Sequence, residues 1–227
     1  MDAFFPLRHL HRVYCAGPLF NEAERQEMNQ IAAVLRRAGF EPFVPHADGM
    51  EFAQVHPFLV ARGCDPAEVG QLLHAAVFAL DLYQVLAGCG SVVFNMNGRV
   101  PDEGAVAEAA MAWTLGKVVV LFKEDARSMI AGRDNPLLAG MTEFHVETDL
   151  AGLGAALARR IAEHPLGADW QTRLPPHLLR PLQQGERLWN RLQELGDDRP
   201  PGPVAEMIGE IFGPARDRTR HREPLSA

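Results

Sequence analysis

Short β-prone runs followed by segments of helical period recur along the first 165 residues, and few architectures accept that order. Residues 12–16 (RVYCA) form the first run, closed by Gly17-Pro18. Asn21 is placed to cap a helix reaching residue 38, with Ile31, Ala32, Val34 and Leu35 on its apolar face. Residues 41–44 read as a second strand. Asp65-Pro66 opens a helix to residue 87 by the cap-then-proline signal. Residues 91–95 make a third strand, Asp102 caps a helix to residue 115, and residues 117–122 and 144–147 make two more strands. A helix over 151–163 ends the series. Strands alternating with helices of this length imply an α/β fold with a doubly wound, mainly parallel, five-stranded sheet flanked by helices. Residues 46–63 read as a long polar and aromatic loop, a candidate binding loop because it exceeds an ordinary connector.

The texture changes after residue 165, so the chain divides into a domain over 1–165 and a C-terminal extension over 166–227. The extension holds one amphipathic helical segment, 179–195, and its charged end from 213 onward reads as mobile. It is either an added helical layer or an oligomerisation arm.

Composition removes several functions. A net charge of −7 argues against a nucleic-acid polymer as partner, because such binding rests on a basic surface. Cys15, Cys64 and Cys89 are scattered without a CxxC pair and read as reduced thiols of a cytoplasmic protein. The opening MDAFFPLRHLHR is too short and too broken by Pro and charge for a signal peptide. No apolar run approaches the roughly 18 residues that span a bilayer, so no membrane is expected. His46, His56 and His74 form no recognisable ligand spacing, and no metal or other cofactor is expected.

Two carboxylates stand out. Between Gly104 and Gly116, Glu108 is the only charged residue of a helix that reads as buried all round. Between Glu68 and the third strand, Asp81 is likewise alone. A carboxylate in such a setting is costly unless paired or used. Singly, each fits a structural polar group as well as a catalytic one. Together they favour a site built on perturbed acids. Asp102 reads first as an N-cap, a role compatible with facing a ligand crevice at the carboxyl edge of a sheet. Trp113 and Met111 read as core.

Three stretches taken in order, VYCAGPLFNEAER (13–25), ALDLYQVLAGCGSVVFNMNG (79–98) and PDEGAVAEAAMAWTLGKVVVLFKEDAR (101–127), resemble the nucleoside 2-deoxyribosyltransferases. The shared pattern is an AGP-type turn after the opening strand, an Asp on the helix before the central strand, and a D-x-G-x-x-x-E element leading to a glycine-lysine turn. The resemblance implies a flavodoxin- or Rossmann-like fold and a catalytic set of Glu108 as nucleophile, Asp81 beside the nucleobase as proton donor, and Tyr14 orienting the Glu108 carboxylate. It places Asp102 on the sugar 5′-hydroxyl, with Gly104, Gly17 and Phe20 around the substrate and Asn135 lent across a subunit interface. A homo-oligomer, dimer or higher, with a shared active site follows, and the partners are a deoxynucleoside and a free nucleobase. Two departures are visible: Ala105 stands where many members carry Thr, and Ala126 separates Asp125 from Arg127. Related enzymes that hydrolyse nucleoside 5′-monophosphates have a small hydroxyl residue at the position of Asp102, so Asp102 points to unphosphorylated nucleosides. A hydrolase on the same scaffold, or a nucleoside-binding sensor, are the competing readings.

Overall fold

The computed structural model describes residues 10–50, 52–98, 100–125, 134–167 and 170–213. Five strands, β1 (Arg12–Ala16), β2 (Glu41–Phe43), β3 (Ser91–Asn95), β4 (Val118–Phe122) and β5 (Val146–Glu147), form one parallel sheet in the order β2-β1-β3-β4-β5. This is the doubly wound arrangement expected, and its strand order reverses between β1 and β3, where ligands of open α/β sheets bind. β3 and β4 are buried along their whole length, as parallel strands covered on both faces must be.

The period of two along each strand sorts the core. Val13, Cys15, Val93, Val120 and Phe122 pack against α1 (Glu22–Arg37) and α7 (Leu153–Glu163). Tyr14, Ala16, Val92, Phe94 and Leu121 face α4 (Pro66–Tyr83) and α5 (Glu103–Thr114) on the other side. The predicted caps are in place: Asn21 and Glu24 close a capping box on α1, and Asp65 and Asp102 accept backbone N–H groups at the starts of α4 and α5.

Residues 45–61 differ from the loop expected. They fold into α2 (Pro45–Asp48) and α3 (Phe52–Ala61). The polar and aromatic character of 46–63 read as a loop, yet α2 starts from Pro45 at the first helical position, which needs no N–H donor. α3 tolerates Pro57 because Val55 and Leu59 are buried against neighbours distant in sequence. β5 is shorter than the sequence suggests, since Glu143 and Phe144 hold left-handed φ values of 55° and 66° that no strand accommodates. Between β4 and β5, α6 (Pro136–Ala139) was not foreseen.

α4 runs into a single π-helical turn at Gln84–Gly88. The buried Lys117 ammonium donates to the carbonyls of Val85 (2.8 Å) and Cys89 and lies 5.3 Å from the Trp170 ring. Burial lowers its pKa to about 7. The helix over Pro66–Gly88 is, by length and composition, apolar enough to cross a membrane, contrary to expectation. In this fold it is a core helix packed between the sheet and the extension.

The extension contributes α8 (Leu179–Glu194) and α9 (Pro201–Phe212), the latter without a clear sequence signal. α8 lies along α4, and α9 packs on α3, α4 and α8. Leu182, Leu188, Trp189 and Leu192 join the same hydrophobic core as the α4 side of the sheet. The end from residue 214 lies outside the described residues.

Contact between α8 and α4 is possible only because residue 185 is glycine. A Cβ there would fall 1.9 Å from the Ala79 carbonyl oxygen and 2.7 Å from Tyr83 Cβ. Gly185→Ala should therefore force the helices apart and cost roughly 1–3 kcal/mol, the usual range for overpacking. Chemical denaturation measures this, and an unchanged midpoint would contradict the close packing.

Candidate active site

The cleft at the switch point has a volume of about 590 Å³ and is lined by Tyr14, Gly17 and Phe20 from β1 and the turn after it, Asp81 from α4, and Asp102 and Glu108 from α5. Six of the eight residues singled out from the sequence thus share one cavity. Glu108 and Asp81 lie on consecutive helices over the same face of the sheet, and the parallel pairing of β1 with β3 brings Tyr14 beneath them.

The Tyr14 hydroxyl donates a 2.6 Å hydrogen bond to Glu108 Oε1. Burial, the neighbouring charge of Asp81 and, less, that of Asp102 push the Glu108 carboxyl up to about 8, while the Tyr14 hydrogen bond pulls the other way. Burial alone raises Asp81 to about 7. Tyr14 is raised well above its ordinary value by burial and then by the charges of Asp81 and Glu108, so it remains a donor. Both carboxylates touch the cleft on one side and are enclosed by protein on the others.

Asp102 combines both roles weighed for it: its Oδ2 accepts from Ala105 N–H at 2.8 Å as the cap of α5, and it lines the cleft. Gly17 permits the close passage of the chain at the switch point, since a Cβ there would lie 2.7 Å from Met28 Cε and 2.9 Å from Asn95 Cβ. Phe20 is 83% exposed at the cleft mouth. Gly104 sits in the first turn of α5 outside the lining, where a Cβ would come 3.1 Å from Asp102 Oδ2. Asn135 is not brought to the cleft within one chain; it is exposed and caps α6 by accepting from Leu137 N–H.

Some readings need correction. α5 is not buried all round: Ala105, Ala109 and Ala112 face inward, while Ala107 and Trp113 are exposed. An alanine-rich surface carries no polar mark to separate it from a core face. Of the 46–63 stretch, His46, Gly49 and Met50 line the cleft, whereas His56 and Phe58 do not, and the Asp48 carboxylate is turned to Val44 N–H at 2.7 Å.

Other site residues were missed. Arg25, His74, Val77 and Phe78 complete the walls. At the carboxyl edge of β3, Glu27 accepts from the side-chain amides of Asn95 (3.0 Å) and Asn97. Asn97 Oδ1 receives Glu124 N–H at 2.9 Å, and Asp125 Oδ2 receives Gly98 N–H at 2.8 Å. This network holds residues 95–98, which start the segment leading to Asp102. The asparagines of FNMNG, at the end of a central strand, were its only sequence signal. Arg127 lies outside the described residues. Among the described residues, no group of three or more His, Cys, Asp or Glu side chains could hold a metal ion.

A parallel doubly wound sheet with paired carboxylates in its switch-point cleft defines an α/β protein equipped for acid–base or nucleophilic chemistry on a small molecule. The family model described as nucleoside 2-deoxyribosyltransferase matches residues 13–154, more than half of the chain, and the chain belongs to that family. A search of curated proteins gives no match.

The raised Glu108 pKa fixes the sign of a pH effect on stability. Between its ordinary value of 4.5 and about 8, the folded state holds a proton that the unfolded chain has lost. Raising the pH through that window therefore destabilises the fold. Glu108→Gln removes this slope, so its melting temperature relative to the parent should climb from about pH 5 to about pH 8.5. Parallel melting curves across that range would contradict the enclosed setting of Glu108.

Proposed function

We propose that the protein transfers the 2-deoxyribosyl group of a 2′-deoxynucleoside to a free nucleobase through an ester at Glu108. The observation that carries this reading is the Glu108 carboxylate held by the Tyr14 hydroxyl in a cleft shared with Asp81. A Glu108 oxygen attacks C1′ as the bond to the base nitrogen breaks, and the bonding pair leaves with the base. Asp81, which lines the same cleft, supplies the proton that the departing base takes up. The oxocarbenium-like sugar is stabilised by the adjacent carboxylate, and the Tyr14 hydrogen bond favours the ionised nucleophile. In the second half a nitrogen of the acceptor base attacks C1′, Glu108 leaves, and Asp81 recovers a proton. Two inversions give net retention.

Asp102 would bind the 5′-hydroxyl. A phosphate there would meet it at a cost of about 4 kcal/mol per like-charge pair, for roughly 4 Å and an effective dielectric near 20. Arg25 lines the same cleft with its Nε–H on the Leu19 carbonyl at 3.0 Å, so the 5′-monophosphate test weighs its charge against that of Asp102. Asn135 would reach the site of a second copy of the chain; its helix α6 carries Leu137, which is 83% exposed. A fully active monomer would contradict that arrangement.

Incubation with a deoxynucleoside and a different free base should yield a new deoxynucleoside, and Glu108→Ala should abolish it in a folded protein. Deoxyribose and free base as the sole products would instead mark a hydrolase. Faster reaction of the 5′-monophosphate than of the nucleoside would overturn the role given to Asp102.

A further inference from the structure

The family match ends at residue 154, yet beyond it Arg199 bonds to the backbone of a cleft wall and Trp189 packs on the ring that supports Tyr14. We infer that the C-terminal extension is a working part of the active site, with Arg199 and Trp189 as positioning residues. The identity of the reaction rests on the function proposed above; the placement does not.

Arg199 stands between α8 and α9 with a left-handed φ of 38°, an uncommon conformation for a non-glycine residue. Its Nη1 donates to the carbonyls of Asp48 and, at 3.1 Å, of Gly49. These carbonyls close the single turn of α2, where a helix end leaves acceptors without intrahelical donors and favours a cation. Gly49 and its neighbours His46 and Met50 form one wall of the cleft. The guanidinium therefore fastens that wall from behind.

Trp189 provides the second route. Arg199 and Arg12 both lie over its ring, at 5.8 and 5.1 Å. Its edge meets Phe43 at a centroid distance of 5.5 Å and an angle of 76°. Phe43 stacks on Tyr14 at 5.6 Å and 22°, because the two are paired across β2 and β1. Tyr14 then bonds to Glu108. Four buried or enclosed side chains thus link the extension to the nucleophile without a gap. Arg199 acts on the substrate wall, and Trp189 acts on the orientation of Tyr14.

The two routes give different kinetic signatures. In the full-length chain, Arg199→Gln should raise the KM of the donor nucleoside about tenfold with kcat within about twofold, the pattern of lost binding without lost chemistry. Arg199→Lys should fall between, since an ammonium keeps the charge and loses the fork. Trp189→Leu should lower kcat and leave KM unchanged, with cooperative melting retained in all three. Parental KM in Arg199→Gln, or losses in every variant that only follow the unfolded fraction, would overturn the inference. If the parent protein exchanges no bases, the functional reading has failed, and hydrogen exchange decides the placement. Faster exchange confined to residues 45–50 in Arg199→Gln sustains it, and an unchanged pattern overturns it.

Discussion

A carboxylate enclosed by apolar helices is unstable company for its surroundings unless something answers it. In this protein the answer is the Tyr14 hydroxyl, 2.6 Å from Glu108 Oε1. The arrangement makes demands in every direction. Tyr14 must sit on the face of β1 that meets α4 and α5, which fixes the alternation of the strand. Phe43 must support its ring from β2. Asp81 must lie close enough for its charge to raise Glu108.

The same pair explains the division of labour proposed for the site. Both carboxyls are shifted upward, and both shifts begin with burial. Glu108 alone has a donor aimed at it, and that donor favours its ionised, nucleophilic form. Burial raises Asp81 to about 7, within reach of proton exchange near neutral pH. The two shifts alone, to about 8 for Glu108 and about 7 for Asp81, would keep the proton on Glu108, so the Tyr14 donor carries the assignment of the nucleophile.

How much of this the sequence shows depends on the range of the interaction. Caps, glycine stops and strand periodicity are local, so Asn21, Asp65 and Asp102 and all five strands were readable directly. The solitary charges of Asp81 and Glu108 were visible because two such acids on successive apolar helices are harder to explain together than either is alone. Residues 45–61 were not readable as helices, because α3 is stabilised by α9 and α4, far away in the chain. Arg199 resembled any charged loop residue, since its partners are backbone carbonyls 150 positions or more earlier. The exposed face of α5 misled for a related reason: apolar composition does not say whether a neighbour covers it.

The extension, which lies outside the family match, shares a core with the catalytic face and packs against the helix carrying Asp81. A site built this way draws support from helices outside the family match. The most direct test of its centre is to capture the ester. The protein would be mixed with a deoxynucleoside in the absence of acceptor base, quenched in acid and digested for mass spectrometry. The expected result is one deoxyribosyl group on the peptide carrying Glu108, absent from Glu108→Gln. Release of base with no label on that peptide, or with the label on another carboxylate, would contradict the assignment.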